Sequence, residues 1–295
     1  MKYELSKIHI CCIIVTYNPD ISLLTLLSLI ENQVDKIIIV DNFSEKENCI
    51  IKEISQFKQI EFINNSINNG IATALNQGVF LAKELGYKWV ITFDQDTKPF
   101  ENIVDILLDV YNNYPNKTNI GAIGTNAIDL NNNVYFKSKS KLEYSVRNYL
   151  ITSGTMISLK AFIEINGFCE KLFIDNVDID YSLRLKINGY ISLISIKCGM
   201  LHKPGDCISK KFLGINIESS NHNEFRRYFM SKNNFILTKK YIFYFPFFIF
   251  KMNFFYVLSL LKMILVEKNR QGKVKSTLTG AYDGIFNKNF NEYEF

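Results

Sequence analysis

The sequence predicts an α/β fold in which helices flank a mostly parallel, Rossmann-like sheet, followed by a helical C-terminal extension. The leading observation is the apolar run at residues 89–93, WVITF, which stops at DQDTKP and is typical of a central strand covered on both faces. Further apolar runs at residues 8–15, 36–40 and 60–63 alternate with helical patterns, as in right-handed strand–helix–strand units. Ligands bind beyond the carboxyl ends of such strands, so the polar residues found there are the first site candidates.

Composition indicates a folded protein with an uneven charge. The chain has 295 residues, of which 47% are hydrophobic and 14% aromatic, enough for a substantial core. From residue 197 onward there are 16 Lys+Arg and 7 Asp+Glu, against 18 and 22 before it, which together make up the 34 and 29 of the whole chain. A basic C-terminal third favours an anionic partner, such as nucleic acid or anionic lipid.

The cysteines and the N-terminus are typical of a cytosolic protein. No CxxC pair occurs among the six cysteines, and Cys11 and Cys12 lie in an apolar run, so we expect reduced core residues. The N-terminus carries acidic and polar residues before a short apolar run, and we therefore expect no signal peptide.

The first three strands bring polar residues to one edge of the predicted sheet. Residues 8–15 form a strand that ends in TYNPD, where Asp20 or Ser22 is expected to cap a helix. That helix has apolar positions at helical spacing, namely Leu23, Leu24, Leu27 and Ile30. The next predicted elements are a strand at 36–40, a helix at 45–57 and a strand at 60–63. We expect four side chains to gather along the edge: Asp41, Asn69, Asp94 and Asp96.

The segment NNGIATALNQG, residues 68–78, opens a helix with small residues. Ala74 and Gly78 are four apart and therefore share a face, which permits close backbone approach. The unpaired amides at the start of this helix could bind a diphosphate or a ribose. Tight packing of the helix against the sheet explains the same residues equally well.

Two aspartates in FDQDTKP are candidate metal ligands. If the strand continues, Asp94 and Asp96 share a face and Gln95 points away. Neighbouring carboxylates suit Mg²⁺ or Mn²⁺, which commonly takes one or two of them together with substrate phosphates. The alternative is a solvated acidic turn that caps the next helix.

Further along the chain we predict a helix near residues 101–111, a strand near 120–128 and a hairpin turn at 131–133. We also predict a strand over 149–159 that is interrupted by Ser153 and Gly154. A glycine inside a strand often marks the close approach of another backbone or a ligand.

A second acidic group occurs in FIDNVDIDYSLR, residues 173–184. On a helix, Asp175 and Asp178 lie on one side and Asp180 lies roughly opposite Asp178. Asp180 is four residues before Arg184, a natural helical ion pair, so we expect Asp178 to face a cleft. Alternatively, all three carboxylates stabilise the helix N-terminus through its dipole.

His202, in LHKPGD, is one of three histidines in the chain. A lone histidine is more often structural than a metal ligand.

Seven motifs in order resemble the family 2 glycosyltransferases with the GT-A fold, and more narrowly the bacterial rhamnosyltransferases among them. These motifs are VTYNP, IIVDNFS, NNGIATALNQG, TFDQDTKP, TSGTM, FIDNVDIDYSLR and LHKPGD. They extend from residue 8 to about residue 205, and RRYFMSKNN and GAYDGI further on also look like that subfamily. A single motif would be weak evidence, whereas seven in order are strong.

The resemblance implies a role for each candidate residue at the donor site. Thr16, Tyr17 and Asn18 would line the base and ribose pocket, and Asp41 would contact the pyrimidine. Asn69 and Asn76 would belong to the nucleotide-binding loop and helix. Asp94 would approach the ribose, with Gln95 beside it among the donor-binding residues.

The resemblance also implies the catalytic and metal-binding residues. Asp96 would hold a Mg²⁺ or Mn²⁺ ion that bridges the diphosphate, and His202 would add a ligand, as in some relatives. Asp178 would be the base, although Val177 precedes it where Glu is commoner in the family. This inventory fits an inverting transfer, in which one carboxylate takes the acceptor proton and positive charge stabilises the leaving diphosphate.

Residues 241–266, YIFYFPFFIFKMNFFYVLSLLKMILV, are dense in Phe, Ile and Leu. Lys251 and Lys262 interrupt a length that could otherwise span a membrane. Eleven residues apart, they fall within about 20° of each other on a helix. We therefore expect them on one face and the Phe-rich remainder opposite, as in a helix that lies in the membrane interface. Basic residues that could meet anionic headgroups follow at Lys268, Arg270, Lys273 and Lys275. Packing onto the catalytic domain or a second subunit is the alternative.

The sequence thus predicts a GT-A catalytic domain over residues 1–215 and a helical, membrane-interfacial region over 216–295. The expected activity is metal-dependent inverting transfer of L-rhamnose from dTDP-L-rhamnose to a lipid-linked oligosaccharide in bacterial surface polysaccharide synthesis. A UDP-hexose or UDP-galactofuranose donor is the nearest alternative, and a non-catalytic nucleotide-binding partner is another. We expect peripheral attachment at the cytoplasmic face of the membrane. No motif supports nucleic-acid binding, and homo-oligomerisation is left open.

Overall fold

A computed structural model describes residues 5–45, 48–54, 60–128, 134, 142–201, 208–212 and 215–286. The chain divides into two compact units. The N-terminal unit contains Met1–Phe173 and Val177–Lys203, and the C-terminal unit contains Ile174–Asn176 and Pro204–Phe295. The domain boundary expected after residue 215 stays a prediction, because compactness alone does not show independent folding.

The N-terminal unit is built on a mixed, mostly parallel sheet with nine strands among the described residues. Its strands are β1 Ile10–Thr16, β2 Lys36–Asp41, β3 Ile60–Asn64, β4 Trp89–Asp94, β5 Lys98–Pro99, β6 Ile120–Ile128, β7 Tyr144–Arg147, β8 Thr155–Ser158 and β9 Ile191–Leu201. The order is β3-β2-β1-β4-β8-β6-β9-β5, and β7 pairs with β9. The first four strands in this order are parallel, and β8 runs antiparallel to both neighbours.

Helices cover the sheet of the N-terminal unit, as the sequence predicts. They are α1 Ser22–Ile30, α2 Cys49–Ile54, α3 Gly70–Glu84, α4 Ile103–Asn113, α5 Leu159–Glu164 and α6 Val177–Ile187. The α/β fold with a mostly parallel, flanked sheet is therefore confirmed. The predicted hairpin turn at 131–133 lies outside the described residues, as does the end of the helix predicted over 45–57.

Both faces of the central strand β1 are buried, which explains its uninterrupted apolar sequence. Cys11 and Cys12 point to opposite faces of the sheet and are fully buried reduced thiols. Burial raises the pKa of Cys11 to about 12, so this thiol is inert at neutral pH. The prediction of reduced core cysteines is correct for both, but it is wrong for Cys49, which is an exposed free thiol.

Helix α3 packs tightly on β1 through its small residues. A Cβ atom on Gly78 would lie 2.6 Å from Cγ2 of Ile13 and 3.3 Å from Cγ2 of Val40. Ala74, on the same helical face, is fully buried. The small residues of this helix therefore serve close packing, which was one of the two explanations that the sequence left open.

The C-terminal unit combines a hairpin with three helices among its described residues. The elements are β10 Ile208–Phe212, β11 Ile215–Ser219, α7 Glu224–Tyr241, α8 Pro246–Val266 and α9 Arg270–Phe286. Glycines let α9 lie directly on α7: a Cβ on Gly280 would be 2.2 Å from the carbonyl oxygen of Tyr228, and one on Gly284 would be 2.5 Å from that of Lys232.

A buried ionic cluster ties this unit together. The carboxylate of Glu267 accepts from Arg227 Nη2 at 2.6 Å and from Lys273 Nζ at 2.7 Å. The Ser219 hydroxyl and the Asn221 amide also donate to it. Since two cations and two neutral donors meet one carboxylate, its charge is compensated although all three charged residues are buried.

Candidate active site

Strand register brings the predicted donor residues to one edge of the sheet. Thr16 lies opposite Asp41 in the β1–β2 pair, and Val15 lies opposite Asp94 in the β1–β4 pair. Because all three strands are parallel, their carboxyl ends form a common edge. This edge is where an open α/β sheet binds its ligand.

The carboxylate of Asp41 lies just below this edge and is only 3% exposed. Its Oδ1 accepts hydrogen bonds from Thr16 Oγ1 at 2.8 Å and from Ser44 Oγ at 2.5 Å, and its Oδ2 accepts one from the Ser44 amide at 2.9 Å. Asp41 thus organises the loops after β1 and β2. Oδ2 retains acceptor capacity, since a carboxylate oxygen has two lone pairs.

Tyr17 and Gln95 join the loops after β1 and β4. The Tyr17 amide donates to Gln95 Oε1 at 2.8 Å, and Gln95 Nε2 donates back to the Tyr17 carbonyl at 3.2 Å. The Tyr17 ring stays about half exposed at the sheet edge. Asn18 adopts a left-handed backbone (φ 47°) and accepts from the Glu45 amide through Oδ1 at 2.8 Å. Hydrogen bonds therefore hold the loops after β1, β2 and β4 together.

The expectation that the extended chain continues through Asp96 is wrong. Strand β4 ends at Asp94, and the Thr97 amide donates to the Asp94 carbonyl at 3.1 Å, which closes a turn. Asp94 is half-buried and Asp96 is exposed. The turn does not cap the next helix either, because α4 begins at Ile103 with Asn102 as its N-cap. The structure therefore shows an acidic turn with Asp96 in solvent, without the helix-capping role of that alternative.

The donor set at this turn suits a hard divalent cation. Among the described residues no three His, Cys, Asp or Glu side chains gather as a metal site. A cation here would therefore rest on the Asp94 and Asp96 carboxylates and complete its shell with phosphate oxygens and water, as Mg²⁺ and Mn²⁺ commonly do. His202 lies outside the described residues, so its role as a further ligand stays a prediction.

The start of α3 does not present open amides to an anion. The Asn69 amide donates to Asn42 Oδ1 at 3.0 Å, the Gly70 amide to Asn68 Oδ1 at 3.0 Å and the Ile71 amide to the Phe173 carbonyl at 2.7 Å. Three N–H groups at the start of α3, where a diphosphate could bind, thus already donate to acceptors within the protein. In this structure these amides order the loop instead.

An amide network that the sequence reasoning missed holds this loop. Asn42 Nδ2 donates to Asn68 Oδ1 at 2.9 Å, and Asn42 Oδ1 also accepts from Asn65 Nδ2 at 3.2 Å. Asn65 and Gln77 exchange two further hydrogen bonds of 2.9 and 3.0 Å. The recurrence of Asn in the loop after β3 and directly after Asp41 was the available signal. Asn42 is the hub, because it is 4% exposed and contacts three partners.

Asn76 serves the segment that leads to Asp178. Its Nδ2 donates to the Phe168 carbonyl at 3.0 Å and to Glu170 Oε1 at 2.9 Å, while its Oδ1 accepts from the Phe168 amide at 2.8 Å. Its amide group is thereby committed to protein contacts. Nucleotide contact by Asn76 stays a prediction, and the structure gives this side chain a positioning role.

The structure separates the three aspartates of FIDNVDID. Asp180 is 1% exposed and accepts from Arg184 Nε at 2.7 Å, which confirms the predicted ion pair. Asp178 lies in the first turn of α6, partly exposed, with Oδ1 accepting from the Ile179 amide at 2.9 Å. Burial, together with the nearby Asp178 charge, raises the pKa of Tyr149. Asp178 therefore lies close to Tyr149. The strand predicted over 149–159 is shorter in the structure, where β8 covers only Thr155–Ser158.

The expected shared face of Asp175 and Asp178 is wrong. Asp175 and Asn176 have left-handed backbones (φ 65° and 61°), and α6 begins only at Val177. Asp175 belongs to the C-terminal unit, where Arg226 Nη2 donates to it at 3.0 Å and Arg226 Nε at 3.1 Å. Helical spacing does not apply to it, because the helix has not yet started.

Comparison with known proteins places this site in a family context. The model of the family described as Glycosyl transferase family 2 matches residues 11–169. The dTDP-rhamnosyl transferase RfbF of Shigella flexneri is 29% identical over an alignment that covers 94% of this chain and 95% of that protein.

Solved structures share the fold at low sequence identity. GalNAc-T7 with UDP, GalNAc and Mn²⁺ superposes with a TM-score of 0.56 at 15% identity over 79% of this chain and 52% of that chain, so the match spans about half of its length. S. aureus TarS 1-349 in complex with UDP-GlcNAc superposes with a TM-score of 0.55 at 11% identity over 98% of this chain and 77% of that chain.

Proposed function

The chain belongs to glycosyltransferase family 2, and from this premise we propose that it transfers L-rhamnose from dTDP-L-rhamnose to a glycan acceptor. The observation that carries the donor is the similarity to the RfbF rhamnosyl transferase, which extends over 94% of the chain. The same alignment covers 95% of the RfbF protein, so the similarity is not confined to one motif.

The donor would lie along the edge formed by β1, β2 and β4. The half-exposed Tyr17 ring offers a face for stacking on thymine, and Asp41 Oδ2 offers an acceptor for the pyrimidine N–H. Asp94 and Asp96 would hold Mg²⁺ or Mn²⁺, which supplies positive charge for the leaving diphosphate. Asp94 ends the buried strand β4 and Asp96 lies in the turn that follows it, so a rigid strand supports such a site.

Asp178 would act as the base in an inverting displacement. Its carboxylate takes the proton of the acceptor hydroxyl while that oxygen forms a bond to the anomeric carbon. The bond from the anomeric carbon to the diphosphate oxygen breaks in the same step, and dTDP leaves with the electron pair. Asn76 and the hydrogen bond from Ile71 to Phe173 support this step by fixing the segment that precedes α6.

The acceptor we propose is a lipid-linked oligosaccharide of a bacterial surface polysaccharide, reached by peripheral contact with the cytoplasmic face of the membrane. The basic composition after residue 197 and the apolar segment at 246–266 support this proposal.

The test is calorimetric titration of the purified protein with dTDP-rhamnose, UDP-glucose and UDP-galactose, each with Mn²⁺ and with chelator. We expect metal-dependent binding of dTDP-rhamnose, and weaker binding of this donor by Asp96→Ala. Preference for a UDP-sugar would overturn the rhamnose assignment and leave the transferase mechanism. Binding of none of the three would favour the non-catalytic alternative.

A further inference from the structure

Helix α8 turns an unusually apolar face to the outside of the C-terminal unit. This outward face carries phenylalanines, with Phe247 90%, Phe250 73% and Phe254 54% exposed. The inward side buries Ile249, Met263 and Val266, and it also contains Asn253 and Ser259, which hydrogen-bond within the unit. A water-soluble helix normally has polar residues on its outward side, because burying apolar side chains is what stabilises it.

The inward polar contacts are specific. Asn234 Nδ2 donates to Asn253 Oδ1 at 2.8 Å, Asn253 Nδ2 donates to Thr238 Oγ1 at 2.9 Å, and Arg227 Nη1 donates to Ser259 Oγ at 3.3 Å. Because these bonds join α8 to α7 at several points, the helix cannot simply rotate to hide its phenylalanines. The exposure of the aromatic face is therefore built into the unit.

Helix α9 repeats this arrangement. It buries Lys273, Thr277 and its two packing glycines against the unit. Outward, Leu278 is 64% and Tyr282 63% exposed. A groove of about 500 Å³ joins the two helices; Ile264 of α8 lines it together with Val274 and Leu278 of α9. The two helices thus share an apolar groove, and we call this groove together with the exposed phenylalanines of α8 the α8–α9 face.

Cations surround this face. Lys251 and Lys262 are exposed on the same outward side of α8 as the phenylalanines, and Lys251 Nζ lies 5.9 Å from the centroid of the Phe255 ring. The prediction that the phenylalanines lie opposite these lysines is therefore wrong. Arg270 and Lys275 line the groove, and Lys268 is exposed in the turn between the helices. An apolar surface edged by cations complements the headgroups and acyl chains of an anionic bilayer.

Alternative occupants fit less well. In a two-fold dimer the same patch faces itself, so Lys251 and Lys262 would approach the same lysines of the second copy. By length and composition α8 could cross a membrane, with a mean hydropathy of 1.7 and 17% of its apolar stretch buried. A spanning α8 would however bring α7 into hydrocarbon with it, and α7 carries charges along its length, among them Arg227 and Lys232.

We propose that the α8–α9 face docks the C-terminal unit on an anionic membrane surface, with α8 lying in the plane of the interface. Its phenylalanines enter the acyl region and its flanking lysines meet lipid phosphates. The proposal rests on the peripheral membrane contact proposed above, and it specifies which residues make that contact and in which orientation.

The test is flotation of the full-length protein with phosphatidylcholine vesicles, with and without phosphatidylglycerol. We expect binding only with the anionic lipid, and weaker binding at high salt. Phe250→Glu should lower the vesicle partition coefficient by about thirty-fold or more, because it replaces an inserted aromatic ring by a charge. Lys251→Ala with Lys262→Ala should lower it by about 25-fold, roughly five-fold for each lysine.

Ile8→Glu is the matched control, since Ile8 is an exposed apolar residue of the N-terminal unit at 68% exposure. It should bind vesicles like the unaltered protein. Equal vesicle binding by Phe250→Glu and the unaltered protein would overturn the proposal. Resistance of the bound protein to alkaline carbonate extraction would also overturn it, because this resistance indicates a spanning helix. A third contradicting outcome is a protein that does not bind vesicles and forms a dimer that Phe250→Glu dissociates.

Donor titration of the same preparations separates this proposal from the enzymatic one. Phe250→Glu should bind the donor normally, which shows that its N-terminal unit is folded, and unchanged hydrogen-exchange protection of α7 shows the same for its C-terminal unit. A protein that binds donor but no vesicles contradicts only the membrane proposal, whereas one that binds vesicles but no donor contradicts only the proposed function.

Discussion

Replacing Glu267 by glutamine removes the one negative charge from a cluster that the C-terminal unit buries almost completely. The side chains of Glu267, Arg227 and Lys273 are 0%, 1% and 7% exposed. Glutamine keeps the size of the side chain but leaves two buried cations without a counter-charge. Breaking a buried ion pair in this way costs about 3–5 kcal/mol. Since 1.4 kcal/mol is tenfold in an equilibrium constant, opening should become a hundred-fold to a few thousand-fold more frequent, roughly.

Amide hydrogen exchange of α7 and α9 measures this effect, because it reports the opening free energy of individual segments. We expect protection in both helices to fall by that factor, while β1 and β4 of the N-terminal unit keep theirs. Glu218→Gln is the matched control, since Glu218 is exposed on β11, and such surface changes typically stay within about 0.5 kcal/mol. A loss of protection below ten-fold, or one equal to that of the control, would refute the reasoning.

The same cluster gives the unit a predictable pH dependence. Burial alone would raise the pKa of Glu267, but hydrogen bonds from Lys273 and Ser219 and the charges of Arg227 and Lys273 outweigh it, so the pKa lies below its ordinary value of 4.5. A lowered folded-state pKa contributes stability that is present above 4.5 and is lost as pH falls through the folded-state value. Protection of α7 should therefore decline in that acid range, and this decline should be absent in Glu267→Gln.

Two further predictions concern the site. Asp178→Asn should lower kcat at least a hundred-fold, the usual contribution of a general base, and leave donor affinity in calorimetry within a few fold; a fully active variant would rule out Asp178 as the base. Asn42→Ala should weaken donor binding about ten-fold and raise hydrogen exchange in residues 64–70, because it leaves buried polar partners unsatisfied at a cost of about 1–3 kcal/mol. Asn188→Ala, at an exposed asparagine, is its control, and equal donor affinity in both variants would contradict a role of the amide network in ordering the loop.

Most of the fold of the N-terminal unit could be predicted from the local pattern of apolar and polar residues. The apolar run of β4 and those of β1 and β2 are uninterrupted because helices cover both faces, and this made the strands recognisable. The placement of Asp41 and Asp94 at one edge of the sheet followed from parallel pairing alone. The pair of Asp180 and Arg184 was predictable too, because helical spacing determines it.

Predictions failed where the backbone leaves regular structure. The turn after Asp94 and the left-handed residues Asp175 and Asn176 break the strand and helix periodicities on which the spacing arguments depend. The amide network around Asn42 also escaped prediction. Its members come from separate loops and α3, and only the folded chain brings them within hydrogen-bonding distance.

For the C-terminal region, the sequence by itself determined an apolar helix with two lysines on one flank, because helical periodicity is a local property of the chain. Only the tertiary structure decided which side of α8 faces outward. That choice depends on Asn253 and Ser259 finding partners on α7, and on the glycines of α9 that let α9 lie against α7. Helical periodicity alone does not say which face of α8 packs against the protein. Contacts between distant segments decide this, and here they leave the phenylalanines pointing away from the protein.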